Sequence, residues 1–180
     1  WVAARLLGIP WSFTAHAYDI WLDKLLLPEK LREADFVVTC SDVNRRHLAE
    51  TYDVPLTKLH TVYHGIDVGH FSPSPRPSSV RPAKLRVLCV GRLVEQKGII
   101  HLIEACSQLA SEGIDFELLI AGDGPLRDSL RKACHELGID DRTQFLGHVS
   151  QETVRELYRS CDLFVLPCIA ASDGDRDGVP

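Results

Sequence analysis

The sequence contains no methionine, not even at position 1. We therefore expect the chain to be a piece of a longer protein, with residue 1 not its natural start. It also has no apolar run near the roughly 20 residues that a membrane-spanning helix needs. The first ten residues carry only Arg5 as a charge and lack the pattern of a signal peptide. These 180 residues therefore give no sign of a membrane span or a secretion leader.

Zinc and disulfide motifs are missing as well, although six cysteines are present. None forms a Cys-x-x-Cys pair, and no Cys/His spacing is typical of a zinc site. Several of the six fall at apolar positions of strand-like or helix-like stretches, which favours reduced, buried thiols and a cytosolic protein. The cysteines are at positions 40, 89, 106, 134, 161 and 168.

An excess of positive charge is also absent. Lys and Arg total 20 against 25 for Asp and Glu, which gives a net charge of −5. No basic stripe stands out, so nucleic acid is not an expected partner. The composition, 45% apolar and 25% charged, is that of an ordinary globular protein.

The chain does contain an alternation of short apolar runs with helical periodicities. Strands are predicted at residues 11–15, 35–40, 59–63, 85–90, 116–121, 143–146 and 163–166. Helices are predicted at residues 22–34, 41–51, 99–112, 125–137 and 150–161. Ser41 and Ser150 are the expected N-caps, and Pro28 a break or first-turn residue. Strands that alternate with helices in this way predict an α/β fold with parallel sheets, which bind ligands at the carboxyl ends of their strands.

Residues 72–82 hold four prolines among serines and predict a linker between two domains. We assign residues 1–71 to a first domain, 72–84 to the linker and 85–180 to a second domain.

Residues 91–98, Gly-Arg-Leu-Val-Glu-Gln-Lys-Gly, form the most informative motif. They follow a predicted strand and precede a helix, and a helix N-terminus favours negative charge. Arg92 can bind phosphate oxygens in a bidentate manner, and Lys97 adds a mobile point charge. The spacing predicts a diphosphate site, although two surface cations beside an ordinary turn would show the same pattern.

Other candidate residues also follow predicted strands. His16 can hydrogen-bond a ligand at a strand end, with Asp19 near enough in sequence to orient it, although a lone histidine is more often structural. At residues 64–67, Gly65 is expected to have a positive φ and Asp67 to cap a turn.

Glycines form a further turn after the strand at 116–121. Gly122 and Gly124 precede Pro125, and this G-x-G without a third glycine predicts a tight turn that can shape a nucleotide pocket.

An acidic stretch at residues 173–178 resembles the start of a calcium loop. We set calcium aside because a strand, not a helix, is predicted before it and Pro180 does not suit such a loop. A solvated loop and a carboxylate that binds sugar hydroxyls both stay open.

Taken in order, six segments resemble glycosyltransferase family 4, and the likeness covers nearly the whole chain. The segments are 14–19, 64–67, 91–98, 121–125, 145–149 and 166–180. The resemblance implies a GT-B type α/β fold, that is, two Rossmann-like domains with parallel sheets, both incomplete here. Residues 1–71 would be the end of the acceptor-side domain and 85–180 the nucleotide-sugar-binding domain. The acidic ending is most similar to transferases of bacterial exopolysaccharide assembly, such as the colanic-acid type.

The resemblance also implies roles for single residues. His16 matches the family's active-site histidine, Arg92 and Lys97 its diphosphate-binding cations, and Asp177 the first of its two acidic residues. The expected donor-binding residues are Gly91, Arg92, Lys97, Gly122, Gly124, His148, Val149, Asp177 and Gly178.

The implied reaction is retaining transfer of a sugar from a nucleotide sugar to a glycan or lipid-linked acceptor. No cofactor or metal is expected. The implied location is the cytoplasm, with peripheral association with the membrane as an option. Because the first strands and the second acidic residue are missing, we expect this chain alone to be nearly inactive.

Three alternatives stay open at this point. A nonhydrolysing sugar-nucleotide epimerase would have the same fold. An NAD-dependent Rossmann domain would need a full G-x-G-x-x-G and an acidic ribose-binding residue, neither of which is evident. A non-catalytic nucleotide-binding fragment is the third.

Overall fold

The computed structural model describes residues 1–22, 24–72 and 84–177. The chain divides into two compact units, the first comprising Trp1–Ile66 with Ala170–Pro180 and the second Asp67–Ile169. Nearly all of the predicted linker lies outside the described residues, so the domain limits drawn from the sequence stay a prediction. Within the described ranges, no helix combines the length and apolar character that crossing a membrane requires.

The first unit is built on a three-stranded parallel sheet in the order β1-β2-β3. Its strands are β1 (Ser12–Ala15), β2 (Phe36–Thr39) and β3 (Leu59–Thr61). The register places Ala15 beside Thr39 and Thr39 beside Thr61. The carboxyl ends of all three strands therefore lie at one edge of this sheet.

Three helices accompany that sheet, namely α1 (Val2–Leu7), α2 (Leu27–Glu33) and α3 (Asp42–Tyr52). The predicted N-cap of α3 is confirmed, because the Ser41 hydroxyl accepts a hydrogen bond from the Asn44 N–H at 3.2 Å. Pro28 lies in the first turn of α2, where its missing N–H costs no helical hydrogen bond.

The second unit contains a four-stranded parallel sheet in the order β6-β5-β4-β7. The strands are β4 (Leu85–Val90), β5 (Phe116–Ala121), β6 (Thr143–Gly147) and β7 (Leu163–Phe164). Five of the six residues of β5 are buried, as expected for a central strand covered on both faces.

The helices of this unit are α4 (Ile99–Ser111), α5 (Arg127–Glu136) and α6 (Gln151–Ser160). Ser150 caps α6 as predicted, its hydroxyl accepting from the Thr153 N–H at 3.1 Å.

Before the sheet, the Asp67 carboxylate accepts the N–H groups of Gly69 and His70 at 2.9 and 3.1 Å, which confirms the predicted turn. These backbone hydrogen bonds lower the pKa of Asp67.

Each unit has its own apolar core. The core of the first consists of Ala15, Ile20, Leu27, Leu31, Ala34, Val37, Leu48, Val54 and Leu59. The core of the second consists of Val87, Cys89, Leu93, Ile99, Leu102, Ile103, Cys106, Phe116, Leu118, Ile120, Leu130, Cys134 and Ile139. Three of the six cysteines thus belong to the second core, and Cys40 is buried in the first unit, as their apolar positions predicted.

Four sequence expectations are wrong in detail. The helix predicted at 22–34 is instead a single π-helical turn, Tyr18–Leu22, followed by the shorter α2, and α1 was not predicted. Gly65 is not among the glycines with positive φ. The β3 and β7 strands end two residues before their predicted limits. The helix predicted at 125–137 ends one residue earlier, at Glu136, and Leu137 is 41% exposed.

Burial divides the cysteines into two groups with different expected reactivity. Burial raises the pKa of Cys89 to about 12 and that of Cys106 to about 11. Because the thiolate is the nucleophile, both thiols should resist alkylation at neutral pH. Cys161 and Cys168 are only partly buried and should react first. Peptide mass analysis after brief labelling of the native protein tests this, with a urea-unfolded sample as control. Labelling of Cys89 as fast as Cys161 in the native protein would contradict the assignment.

Candidate functional site

Three loops of the second unit begin side by side at one edge of its sheet. The strand register pairs Val90 with Ala121 and Ala121 with Gly147, across a bulge at the end of β5. Three segments therefore leave the sheet side by side. They are the loops that start at Gly91 and Gly122 and the residues that follow Gly147. This is the edge at which parallel sheets bind ligands.

Backbone hydrogen bonds join these loops to one another. The Gly91 N–H donates to the Ala121 carbonyl at 2.9 Å, and the Leu93 N–H donates to the Asp123 carbonyl at 2.9 Å. The Gly122 N–H donates to the Gly147 carbonyl at 2.8 Å. The edge is therefore held by main-chain bonds that do not depend on side-chain identity.

The glycines at 122 and 124 allow the loops to approach this closely. Gly122 has a φ of 137°, and a Cβ there would collide with the Gly91 carbonyl oxygen. A Cβ on Gly124 would lie 2.6 to 2.9 Å from backbone atoms of Leu93. The G-x-G turn predicted from the sequence is therefore required for packing against residues 91–93.

The motif at 91–98 has the strand–turn–helix form that the sequence predicted. A 3-10 turn, Glu95–Lys97, follows the loop, and Gly98 adopts a φ of 60° as the N-cap of α4. A side chain at Gly98 would collide with the Pro167 carbonyl oxygen, so the helix start lies directly against residue 167. No side chain caps this helix end. Its first N–H groups and its dipole favour an anion.

The two predicted cations of the motif differ in their surroundings. Arg92 is exposed, whereas Lys97 is half-buried. A Cβ on Gly91 would lie 3.7 Å from the Lys97 Cδ, which shows that the lysine stem runs across Gly91. The loop therefore carries one exposed arginine and one lysine whose stem packs against its first glycine.

Five of the predicted donor-binding residues line one cleft of about 250 Å³. They are Gly91, Arg92, Gly122, His148 and Val149. The remaining lining residues are Val90, Ala121, Asp123 and Val154. Gly124 and Lys97 contact the loops that form this cleft, through Leu93 and Gly91 respectively. The cleft is smaller than the roughly 300 Å³ of a typical ligand pocket, a size suited to part of a nucleotide.

Arg127 is a further cation beside this cleft, and the sequence analysis missed it. Its Nη1 donates to the Asp123 carboxylate at 2.8 Å, and the same nitrogen lies 3.6 Å from where a Cβ of Gly147 would stand. The other Asp123 oxygen accepts the Gly124 N–H at 2.8 Å. The positive charge of Arg127 therefore offsets the negative charge of Asp123, the one carboxylate among the residues that line the cleft. The i,i+4 spacing of Asp123 and Arg127 is a sequence signal that would have found this pair.

His16 lies in the first unit, exposed, directly after β1. The Asp19 carboxylate accepts the His16 backbone N–H at 2.9 Å, so it holds the turn rather than orienting the ring as expected. The His16 ring instead stacks on the ring of His64, with centroids 5.7 Å apart and planes 3° from parallel. The Cys40 sulfur is also near, and ligand atoms of these three residues lie within 4.8 Å of one another.

Asp177 is half-buried and belongs with the first unit, while Gly178 lies outside the described residues. The segment before Asp177 has internal hydrogen bonds, with the Asp175 N–H donating to the Asp173 carboxylate at 2.9 Å. Arg176 stacks on Trp21 with its guanidinium carbon 4.2 Å from the ring centroid. His16 and Asp177 therefore lie in one unit, and the cleft residues lie in the other.

Residues 73–174 match the family model described as "Glycosyl transferases group 1", and residues 1–70 match the model described as "Glycosyltransferase Family 4". The putative colanic acid biosynthesis glycosyltransferase WcaL of Escherichia coli is 32% identical over 149 residues, which cover 83% of this chain and 36% of WcaL. The amylovoran biosynthesis glycosyltransferase AmsK of Erwinia amylovora is 35% identical over 126 residues, covering 70% of this chain and 30% of AmsK. The chain thus spans about a third of these curated relatives.

Among solved structures, Anabaena Alr3699/HepE in complex with UDP and glucose aligns with a TM-score of 0.69 and 21% identity. The alignment covers 93% of this chain and 48% of the Anabaena chain. This likeness confirms the GT-B class of α/β fold expected from the sequence.

The packing role of Gly122 leads to a stability prediction. Gly122→Ala should lower the free energy of unfolding more than Gly138→Ala, since both glycines have positive φ but only Gly122 faces a backbone atom. A left-handed φ such as that of Gly138 costs alanine about 1–2 kcal/mol. Gly122, at φ 137°, lies further from the conformations that L-residues adopt, and crowding against the Gly91 carbonyl adds about 1–3 kcal/mol. Urea unfolding of the two variants measures the difference. Equal destabilisation would show that the loops can separate to accept a side chain.

Proposed function

This chain belongs to the group 1 glycosyl transferases, and on that premise we propose a function for the whole protein. The protein transfers a sugar from a nucleoside-diphosphate sugar to a glycan or lipid-linked acceptor in polysaccharide biosynthesis. The sugar keeps its anomeric configuration. The names of WcaL and AmsK, which place those relatives in colanic acid and amylovoran biosynthesis, support the polysaccharide setting.

The observation that carries the proposal is the cleft at the carboxyl ends of β4, β5 and β6. Arg92 lines it, Arg127 lies against the turn at Gly147, and the uncapped start of α4 follows the same loop. A diphosphate carries several negative charges, and it suits a site built from guanidinium groups and backbone N–H donors. The Anabaena structure, a complex with UDP and glucose, supports a nucleotide sugar as the ligand.

The reaction proposed at this site breaks the bond between the anomeric carbon and the diphosphate oxygen. Negative charge then develops on the leaving diphosphate, and Arg92 and Lys97 stabilise it more strongly in the transition state than in the bound substrate. The acceptor oxygen bonds to the anomeric carbon from the same face. Its proton passes to an oxygen of the departing diphosphate, so no protein nucleophile is needed.

The other predicted site residues have supporting roles in this scheme. His16 contacts the donor sugar, and Asp177 binds sugar hydroxyls together with the backbone at Gly178. His148 and Val149 line the cleft on the nucleotide side, where Gly91, Gly122 and Gly124 leave room for the ligand. We propose no metal in the transfer step. We propose a cytoplasmic location, with peripheral association where the acceptor is lipid-linked.

Removal of the Lys97 ammonium group tests the diphosphate assignment. Lys97→Ala in the full-length protein should lower kcat by about 10²–10³, as for other preorganised groups that stabilise developing charge. The donor is a nucleotide sugar chosen because it protects the protein against thermal unfolding. Steady-state rates at saturating donor give the measurement.

Lys132→Ala is the matched control, because Lys132 is an exposed lysine of α5 paired with Glu136 at 3.4 Å. It should leave kcat and thermal stability unchanged. Near-normal turnover of Lys97→Ala at saturating donor would remove Lys97 from the site.

His16 should affect transfer but not nucleotide binding. Loss of one hydrogen bond to the sugar, about 0.5–1.5 kcal/mol, corresponds to a reduction in kcat/KM for the donor of up to about tenfold for His16→Ala. The dissociation constant for the free nucleoside diphosphate should not change, because that ligand carries no sugar. Titration calorimetry and initial rates separate the two effects, with His101→Ala as the histidine control. Equal weakening of nucleoside-diphosphate binding would contradict this role.

A further inference from the structure

Three potential metal ligands in the first unit lie close together, and only one of them, His16, has a role in the proposed transfer reaction. They are His16, Cys40 and His64, whose ligand atoms are all within 4.8 Å of one another. We propose that they form a binding site for a thiophilic divalent cation, with Zn²⁺ the best match. The three ligands do not have the sequence spacing of a zinc motif, because each of them follows a different strand.

The sheet explains why residues so far apart in sequence meet. His16 directly follows β1 and Cys40 directly follows β2, and the register aligns Ala15 with Thr39. His64 comes three residues after the end of β3, which pairs with β2 through Thr39 and Thr61. Neighbouring parallel strands thus deliver one side chain each to the same edge.

The chemistry of the three ligands favours zinc over harder cations. A thiolate with two imidazoles is a ligand set that Zn²⁺ uses, whereas Mg²⁺ and Ca²⁺ require oxygen ligands. Three protein ligands leave a fourth tetrahedral position for water. In the described part of the chain, the imidazole nitrogens of His16 and His64 and the Cys40 sulfur make no other hydrogen bond or ion pair. Their ligand atoms are therefore not committed to other partners.

The geometry requires a small adjustment that the surroundings allow. With bonds of about 2.0–2.3 Å, tetrahedral zinc ligands stand roughly 3.5 Å apart, so atoms that lie within 4.8 Å of one another need to approach by no more than about 1.3 Å. A ring nitrogen binds a metal in the plane of its ring, and the two rings are nearly parallel. One of them must therefore rotate. Both histidines are exposed, and Cys40, only 5% exposed, can stay in place.

Metal binding would displace the Cys40 thiol proton to solvent. A bound ion would also occupy the His16 ring and withdraw it from the donor sugar, which predicts inhibition of transfer. That consequence rests on the proposed function, whereas metal binding itself does not. The test therefore measures binding directly.

Cobalt serves as the spectroscopic probe, because it takes the same ligands as zinc and a Co²⁺–thiolate bond gives a charge-transfer absorption band. Titration of the reduced, full-length protein with Co²⁺ should produce this band at a one-to-one ratio, and Zn²⁺ should abolish it by competition. His64→Ala should weaken Co²⁺ binding by at least about tenfold, the scale of even outer-shell substitutions at metal sites. Cys40→Ala should remove the charge-transfer band.

His101→Ala and Cys161→Ala are the matched controls, since both residues lie in the second unit. Neither should change the band or the affinity. Because His64 is exposed on a loop, its variant keeps the test valid even if Cys40→Ala fails to fold. Three results would overturn the proposal. They are no thiolate band, a band that survives Cys40→Ala, and an unchanged affinity in His64→Ala.

Discussion

The second unit depends on one close contact between two backbones, the approach of the Gly122–Gly124 turn to residues 91–93. Hydrogen bonds from Leu93 to Asp123 and from Leu126 to Leu93, 2.9 and 3.0 Å long, fix the two loops together. The contact exists only because neither glycine has a Cβ to collide with the backbone of Gly91 or Leu93. The cleft, the position of Arg92 and the start of α4 all depend on this contact, since they belong to the same two loops. A loop held by main-chain bonds is preorganised, so little reorganisation is needed when charge develops on a ligand.

Much of this arrangement could be predicted from the sequence, for reasons that are local. The apolar runs at 85–90 and 116–121 became β4 and β5 with the limits expected, because central parallel strands are continuous apolar segments. Ser41 and Ser150 were identifiable as N-caps from residue type alone. The family 4 resemblance, drawn from the order of six short motifs, is confirmed by the two family models, which together match residues 1–70 and 73–174. Ordered sets of motifs are informative because each one falls at a strand end, where the fold leaves little freedom.

Features that depend on tertiary contacts could not be predicted in this way. The sequence indicated that Gly122 and Gly124 form a turn but not which backbone they approach. Asp19 was expected to orient the His16 ring, yet its carboxylate is used by the His16 N–H, because a residue three positions away reaches the backbone of the turn more readily. The positive φ expected at Gly65 was wrong, because many turns contain a glycine whose backbone conformation other residues could also adopt. The break between Leu22 and Leu27 interrupts a helical pattern that composition alone had favoured.

The two sheets illustrate how one geometric rule accounts for both of the sites that we propose. Parallel strands in register bring whatever follows them to a common edge, regardless of distance along the chain. In the second unit the residues that follow are glycines and cations, so the edge presents N–H groups and positive charge suited to a diphosphate. In the first unit they are two histidines and a cysteine, and the same rule gathers imidazoles and a thiol instead. A search limited to sequence spacing misses the second case, because His16, Cys40 and His64 are 24 residues apart at each step. Strand ends are therefore a better guide than spacing to the sites that a parallel sheet can form.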